Sequence, residues 1–267
     1  MPKNKKEIPA LPHPIIETHC HLDYLKSSPL GDIVEKSLQH NIERILTISV
    51  AESNFNDVLN ITKTFDNVWG SQGVHPHHAK DYNQDTLKKV RTNAQDKKIL
   101  AIGEIGLDFY YNNSEKSDQL KVFTEHLELA TELGMPVVIH SREAEDETIE
   151  IMKNFVSNPQ FKGVIHSFTS SKKLADFALK HGFYLGFNGI ISFNSAKDLQ
   201  EIVKTTPIDN IILETDAPFL TPVPFRGREN APYYLPCVAT KLAEIHNVDL
   251  DYVCKKTYEN SIKLFWD

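Results

Sequence analysis

The 267-residue sequence predicts a single α/β domain, a (β/α)8 or TIM barrel, and three observations support this prediction. Short apolar runs typical of strands recur along the chain, and amphipathic segments typical of helices separate them. Eight such runs can be counted, and strands that alternate with helices form parallel sheets. The chain length is also close to the roughly 250 residues of a typical eight-fold barrel. Together these features favour a closed barrel over an open sheet.

The predicted strands follow one another at regular intervals. They cover residues 14–22, 42–50, 68–76, 99–108, 136–142, 163–168, 183–190 and 210–218. Residues 115–134 give the clearest helix, because Leu120, Phe123 and other apolar residues recur there at helical spacing. Gly134 is typical of a residue that ends a helix, so we expect this helix to stop there.

The barrel is predicted to span residues 14–267, after an N-terminal extension of residues 1–13 that we expect to be flexible. The extension has positive charge but no following apolar stretch, unlike a secretory signal. No run approaches the ~18 apolar residues of a membrane span. Three scattered cysteines are too few for a disulfide framework, and they suit a protein of a reducing compartment. We therefore expect a cytoplasmic protein without membrane contact, and a monomer.

The charge balance limits how the protein could hold a polyanion. The formal net charge is −7 and the sequence pI is about 5.9. Proteins that bind duplex DNA mainly through charge are usually basic. A polyanionic substrate would therefore have to be held at a local site, by metal ions or a few arginines.

Histidines and carboxylates are concentrated where the predicted strands end, which is the side of a barrel that carries catalytic groups. His19 and His21 lie roughly 6.6 Å apart on one side of the first strand, so both imidazoles can reach one ion. Six residues form the predicted ligand set: His19, His21, Glu104, His140, His166 and Asp216. Such ligands suit Zn²⁺ or Mn²⁺, and Mg²⁺ is possible. Six ligands are more than one ion usually takes, which suggests two ions.

Other polar residues near the predicted mouth are candidates for contact with substrate or for purely structural roles. Arg142 could reach a phosphate oxygen or form an ordinary ion pair with Glu143 or Glu145. Arg226 lies in a loop after the last strand, where it could touch the substrate backbone. Residues expected to lie outside the chemistry are the surface histidines His77, His78 and His126, and Asp108 as loop structure. Rim aromatics could stack bases or pack in the core: Phe109, Tyr110, Phe168 and Phe219.

Most of the chain resembles the TatD-type deoxyribonucleases, which belong to the amidohydrolase-like metal-dependent barrel hydrolases. The resemblance is carried in order by "THCHLD", "GVHPHHA", "IGEIGLDFY", "VVIHSREA", "VIHSFTSS", "GFNGIISF", "ILETDAPFLTP" and "RGRENAPYYLP". Four features depart from the family pattern, one of them Ser170, where the family often has Gly. Glu17 stands in place of the usual Asp, Ser167 in place of a common Cys, and "RGRENAPYY" differs from the usual loop.

The resemblance implies a binuclear divalent-metal centre that hydrolyses the phosphodiester bonds of DNA. By position, His19, His21 and Asp216 would bind one ion and Glu104 would bridge to a second. The second ion would be bound by His140 and His166, and His75 would lie near the scissile phosphate.

Glu104 and Asp216 are the candidate catalytic residues; our hypothesis is that Asp216 is the general base. The expected substrates of the enzyme are single-stranded DNA or DNA ends. One alternative is a metal-dependent ester or amide hydrolase, such as a D-aminoacyl-tRNA deacylase. Many amide-cleaving barrels use a carbamylated lysine as the bridge, so Glu104 favours the phosphodiesterase. A non-catalytic module that binds nucleic-acid ends is a second alternative.

Overall fold

The computed structural model describes residues 6–267, and in it eight parallel strands pair in chain order, each with the next. The strands are β1 (Ile15–Cys20), β2 (Ile42–Thr47), β3 (Val68–Gln72), β4 (Ile99–Asp108), β5 (Val137–Arg142), β6 (Gly163–Ile165), β7 (Tyr184–Phe187) and β8 (Ile211–Leu213). This order is that of a (β/α)8 barrel, so the predicted fold class is confirmed.

Helices follow each strand and form the outer layer. They are α1 (Leu30–Gln39), α2 (Phe55–Thr64), α3 (Gln84–Asn93), α4 (Lys116–Leu133), α5 (Glu145–Met152), α6 (Lys172–Lys180), α7 (Lys197–Thr205), α8 (Leu235–His246) and α9 (Leu250–Phe265). The predicted helix over 115–134 corresponds to α4. Gly134 ends it with a φ of +65°, a left-handed conformation that costs glycine little.

The barrel closes where β1 meets the chain that follows β8. The amide of Asp216 donates to the carbonyl of His19 at 2.9 Å, and the amide of His21 donates to the carbonyl of Ala217 at 2.7 Å. The Thr18 hydroxyl adds a bond to the Leu213 carbonyl at 2.9 Å. Closure therefore sets Asp216 beside the two histidines, although about 200 residues separate them along the chain.

The apolar core fills the space between the strands and the helical layer. Strand residues such as Ile45, Ile105 and Ile139 are fully buried, and Phe123 and Leu127 of α4 pack into the same cluster. Because the sheet is covered on its outer side, its strands read as nearly continuous apolar runs. The rigid sheet fixes the positions of the side chains at the strand ends.

Several strands are shorter than predicted. β3 ends at Gln72, β6 at Ile165 and β8 at Leu213, so His75, His166 and Asp216 lie in the loops that follow. Asp216 has a φ of +58°, in the left-handed region that Asp adopts more readily than most residues. The strand-end groups thus reach the mouth partly through irregular backbone, which apolar patterning does not predict.

The predicted flexibility of residues 1–13 remains a prediction, and residues 1–5 lie outside the described part of the chain. Of the rest, Leu11 is buried and its carbonyl accepts a bond from Asn41 Nδ2 at 3.1 Å. Across residues 6–267, no helix combines the length and the apolar character needed to cross a bilayer.

Candidate metal centre

Side chains from six strand ends meet in a cavity at the mouth of the barrel. The cavity has a volume of about 750 Å³, and its lining includes His21, His75, Glu104, His140, His166 and Asp216. His19 lies just beneath, fully buried, with its Nε2 atom 3.4 Å from Glu104 Oε2. The structure therefore brings all six predicted ligands together, although they are spread over nearly 200 residues of sequence.

Glu104 lies at the centre of the cluster, and its two carboxylate oxygens face different groups of histidines. Oε2 is 3.4 Å from His19 Nε2 and 4.0 Å from His21 Nε2. Oε1 is 2.7 Å from His166 Nε2 and 3.1 Å from His140 Nδ1. One buried carboxylate thus separates the cluster into a first half-site around Oε2 and a second half-site around Oε1.

The first half-site consists of Glu104 Oε2, His19, His21 and Asp216. Asp216 Oδ1 is 3.8 Å from His19 Nε2 and 3.5 Å from His21 Nε2. The ligand atoms of tetrahedral zinc stand about 3.3 Å apart, given bonds of roughly 2.0–2.1 Å. His19 Nε2 is buried without a hydrogen-bond partner, a costly state that a bound cation would relieve. These donor atoms therefore fit a divalent ion.

The ring of His21 is oriented by the backbone. Its Nδ1 faces the carbonyl of Ile48 at 3.2 Å, and a carbonyl can only accept, so Nδ1 carries the proton. When the ring is neutral, as metal binding requires, its Nε2 lone pair points toward Asp216 and Glu104. A metal-binding histidine is commonly fixed in this way through its other ring nitrogen.

The second half-site consists of Glu104 Oε1, His140 and His166. His140 Nδ1 and His166 Nε2 are 3.3 Å apart, again a spacing suited to two ligands of one ion. The far side of His166 faces Glu214, whose Oε1 lies 3.7 Å from His166 Nδ1. Glu214 also accepts bonds from the Ser167 amide and from Asn188, so its carboxylate forms part of the polar floor of the site.

His75 approaches Glu104 Oε1 at 3.3 Å through Nε2, so distance alone would also admit it as a ligand of the second half-site. Its Nδ1, however, accepts a bond from the amide of His77 at 3.1 Å. Burial lowers the pKa of His75 to about 4, so the ring is neutral and its single proton is on Nε2. We therefore read His75 as a hydrogen-bond donor at the cavity wall.

The cluster is electrostatically consistent with cation binding. Burial would raise the pKa of Glu104, but the positive charge of His166 and the hydrogen bonds from His140 and His166 lower it well below the usual value. Burial likewise opposes ionisation of Asp216, whose pKa is nevertheless lowered by its bond to His21 and by nearby histidines. Both carboxylates are therefore charged at neutral pH. Glu17, deeper in the barrel, has a pKa raised to about 8, mainly by burial.

The expectations for Asp108, His126, His77 and His78 were wrong. Asp108 is not loop structure but the buried end of β4, and it contacts His77 Nε2 at 3.0 Å and His140 Nε2 at 3.1 Å. His126 is not on the surface: it is fully buried in α4, with Nδ1 2.8 Å from the Val122 carbonyl. Asp108 shares its strand parity with Glu104, and that signal could have identified it.

His77 and His78 are not simple surface histidines either, because both are partly buried and line the cavity. The mouth also carries aromatic rings: Tyr24, Tyr111 and Phe219 line the cavity and expose 37%, 44% and 53% of their surface. Tyr24 and Tyr111 were missed, since a tyrosine in a loop gives no pattern that separates the rim from the outer surface.

The two predicted substrate arginines differ in position. Arg142 lines the cavity, and its guanidinium carbon lies 4.0 Å from the centre of the Tyr110 ring and 4.9 Å from that of Tyr111. Arg226 is exposed and lies over the Phe193 ring at 3.9 Å, outside the residues that line the cavity. Of the other rim candidates, Phe168 is buried in the core.

A parallel barrel with clustered histidines and carboxylates at its mouth defines the class of metal-dependent barrel hydrolases. A family model described as TatD-related DNase matches residues 16–266. The chain belongs to this family of metal-dependent hydrolases.

Individual relatives agree with this assignment. An uncharacterized metal-dependent hydrolase of Buchnera aphidicola (subsp. Baizongia pistaciae) is 38% identical over 94% of this chain and 96% of its own. A protein of Erwinia amylovora named 3'-5' ssDNA/RNA exonuclease TatD is 33% identical over 87% of this chain and 92% of its own. The crystal structure of the TatD homologue YJJV of Escherichia coli K12 superposes with a TM-score of 0.88 at 26% identity, covering 95% and 98% of the chains.

Proposed function

We propose that this protein is a deoxyribonuclease that hydrolyses phosphodiester bonds at single strands or DNA ends, using two divalent ions. The observation that carries the proposal is the position of Glu104, whose two oxygens face separate sets of ligands. Two cations held by these residues would suit phosphodiester hydrolysis, because they would lower the pKa of a water and neutralise charge on the phosphate. Zn²⁺, Mn²⁺ and Mg²⁺ are the candidate ions.

In this proposal Asp216 acts as the general base. Its Oδ1 borders the first half-site, its side chain is 15% exposed, and its lowered pKa keeps the carboxylate charged. A charged carboxylate at the open edge of the cavity can take a proton from an attacking water. His75, as a neutral donor, is positioned to hydrogen-bond an oxygen of the substrate phosphate.

The cavity wall supports a preference for unpaired nucleotides. Tyr24, Tyr111 and Phe219 present exposed rings beside the charged cluster, and bases stack on such rings regardless of sequence. Arg142 lies at the same wall and could bind a backbone phosphate through its planar guanidinium. Arg226 remains a candidate for contact further along the strand. A chain with a net charge of −7 offers little attraction to long duplexes.

We further propose a monomer that works in the cytoplasm. All three cysteines are buried free thiols, which suits a reducing compartment. Light scattering on the purified protein tests the assembly state, with a single mass near 30.4 kDa expected.

A substrate panel tests the proposed function. Metal-loaded protein would be incubated with end-labelled single-stranded DNA, duplex DNA, single-stranded RNA, an aminoacyl ester and a small cyclic amide. We expect shortening of the single-stranded DNA, faster than that of the blunt duplex. Turnover of the ester or amide without cleavage of nucleic acid would instead support the alternative hydrolase, and binding of DNA without product would support a non-catalytic module.

A further inference from the structure

Asp108 is a buried carboxylate at the end of β4 that makes four hydrogen bonds, two through each oxygen. Oδ2 accepts from His140 Nε2 at 3.1 Å and from His77 Nε2 at 3.0 Å. Oδ1 accepts from the backbone amides of Tyr110 at 3.0 Å and Tyr111 at 3.1 Å. The two oxygens therefore hold different parts of the mouth.

The bond to His140 determines which nitrogen of that ring faces the second half-site. A carboxylate can only accept, so His140 must carry a proton on Nε2. In the neutral ring, which ion binding requires, the Nδ1 lone pair is then free and faces the second half-site, 3.1 Å from Glu104 Oε1 and 3.3 Å from His166 Nε2. In the opposite tautomer, a proton on Nδ1 would point into the half-site and prevent binding of an ion.

The bonds of Oδ1 fix the start of the loop that carries the aromatic wall. With both amides held by Asp108, the Tyr111 ring lines the cavity 5.3 Å from the ring of His77. Arg142 covers the neighbouring Tyr110 ring, which joins the same loop to the end of β5. One side chain thus connects a ligand of the second half-site with a wall that would meet substrate.

We propose that Asp108 is a positioning residue that locks His140 in its ion-binding tautomer and holds the Tyr110–Tyr111 segment at the cavity wall. The inference rests on the proposed function, because it requires that the second half-site bind an ion. It assigns Asp108 no contact with substrate and no role as a ligand. Its effect on the reaction would pass through His140 and the tyrosines.

The test measures Zn²⁺ binding to the chelator-stripped full chain. Calorimetry gives the affinities, and native mass spectrometry gives the number of bound ions. In Asp108→Asn the side chain keeps one oxygen that accepts and gains an NH₂ group that donates. Because all four partners of Asp108 are donors, the amide cannot accept from both the histidines and the backbone amides. We expect two Zn²⁺ ions in the wild type. In the variant, one ion should bind at least 10-fold more weakly and the other with unchanged affinity.

Two further variants separate positioning from general damage to the fold. Asp108→Ser keeps an oxygen that can accept from the Tyr110 amide but cannot reach His140, so it should also lose tight binding of one ion. Gln119→Met is the matched control. Gln119 holds the same backbone, accepting from the Asp108 amide at 2.9 Å and donating to the Asp108 and Ser114 carbonyls, and within residues 6–267 it makes no hydrogen bond to a histidine. It should lower thermal stability while leaving both Zn²⁺ affinities unchanged.

The outcomes distinguish this inference from the proposed function. If the wild type binds two ions and both Asp108 variants do as well with the same affinity, the positioning role is wrong and the two-ion centre stands. If the wild type itself binds fewer than two ions, both proposals fail. A spectroscopic check is the nitrogen NMR of His140 in the Zn²⁺-loaded wild type, which should show a proton on Nε2 and none on Nδ1.

Discussion

A single carboxylate, Glu104, determines how the whole cluster is divided. It is 3% exposed, and its oxygens lie within 4.0 Å of nitrogens from five histidines. Within residues 6–267, the groups that form ion pairs or hydrogen bonds with this carboxylate are those histidines. Divalent ions would balance its charge while leaving the imidazoles neutral, as metal binding requires.

Replacing Glu104 by Gln should therefore affect both ions at once. The amide keeps the shape but loses the charge and presents N–H groups to one half-site, so we expect both Zn²⁺ affinities to fall by roughly 100-fold or more. Calorimetry on chelator-stripped protein measures both. Loss of one ion with normal binding of the other would show that Glu104 does not bridge.

Glu17→Gln is the matched control for that experiment. Glu17 is equally buried and accepts from the amides of His19 and Thr215, both at 3.0 Å. Because burial raises its pKa to about 8, it is largely uncharged at pH 7, and glutamine should replace it with both ions retained.

The proposed ligand residues were predictable from sequence, whereas the residues that hydrogen-bond to them were less so. His19 and His21 share a strand face, and the other ligands follow apolar runs, so barrel geometry alone converges them. The roles of Asp108 and His75 depend on which ring nitrogen meets which oxygen. That depends on side-chain rotamers and loop backbone, which residue patterns do not encode.

At the scale of elements, the approach of β4 to β5 places Glu104 near His140. Gly106 makes this approach possible: its φ is +135°, and a Cβ atom there would lie 2.0 Å from the carbonyl oxygen of His140. No side chain fits at that distance, and the conformation itself favours glycine.

Gly106→Ala should consequently separate the two strands and damage the centre. We expect a loss of stability above about 4 kcal/mol, seen as insoluble protein or a greatly lowered Tm. Gly31→Ala is the control. Within residues 6–267, and apart from its chain neighbours and the backbone of α1, no atom lies within 4 Å of a Cβ at this position, so alanine should be neutral or stabilising by up to about 1 kcal/mol. A Gly106→Ala protein with normal Tm would contradict this reading of the strand contact.

A buried histidine in α4 predicts a pH effect on stability. Burial lowers the pKa of His126 to about 4 from the usual 6.5, so the unfolded chain binds its proton first. The stability that depends on the neutral ring is present above pH 6.5 and is lost as pH falls toward 4. Over that range the loss is about 3 kcal/mol.

His126→Leu removes this dependence without opening a cavity of comparable size. Urea unfolding of both proteins at pH 7.5 and pH 4 should show the leucine variant gaining about 3 kcal/mol relative to wild type at the lower pH. A difference between the two proteins that does not change with pH would contradict the assignment. His126 lies on α4, away from the proposed ligands.

For the whole molecule, the predicted architecture was correct because strand and helix periodicities repeat eight times and length limits the choice of fold. The predicted strand ends were less accurate, since β6 and β8 have only three residues each in the structure. The apolar run continues into irregular backbone at these places, and apolar patterning cannot separate a buried strand from a buried loop. The error mattered little for the site, because His166 and Asp216, which follow these two strands, still line the cavity.

The molecule as a whole is acidic, yet its proposed substrate is a polyanion. Two divalent ions would add about +4 at the mouth, which concentrates attraction for phosphate at the reacting position. The remaining surface would contribute little to binding, which is consistent with cleavage at ends or unpaired strands. The proposed cleavage of DNA therefore depends on the ions and on one general base, Asp216.

The most direct test compares the chelator-stripped wild type with Asp216→Asn on end-labelled single-stranded DNA. Mg²⁺, Mn²⁺ or Zn²⁺ is added back separately, and folding is checked by circular dichroism. We predict that the wild type cuts only after metal is restored and that the folded variant loses at least roughly 100-fold in rate with the same metal. Full activity of the variant, or cleavage by the wild type without metal, would contradict the account.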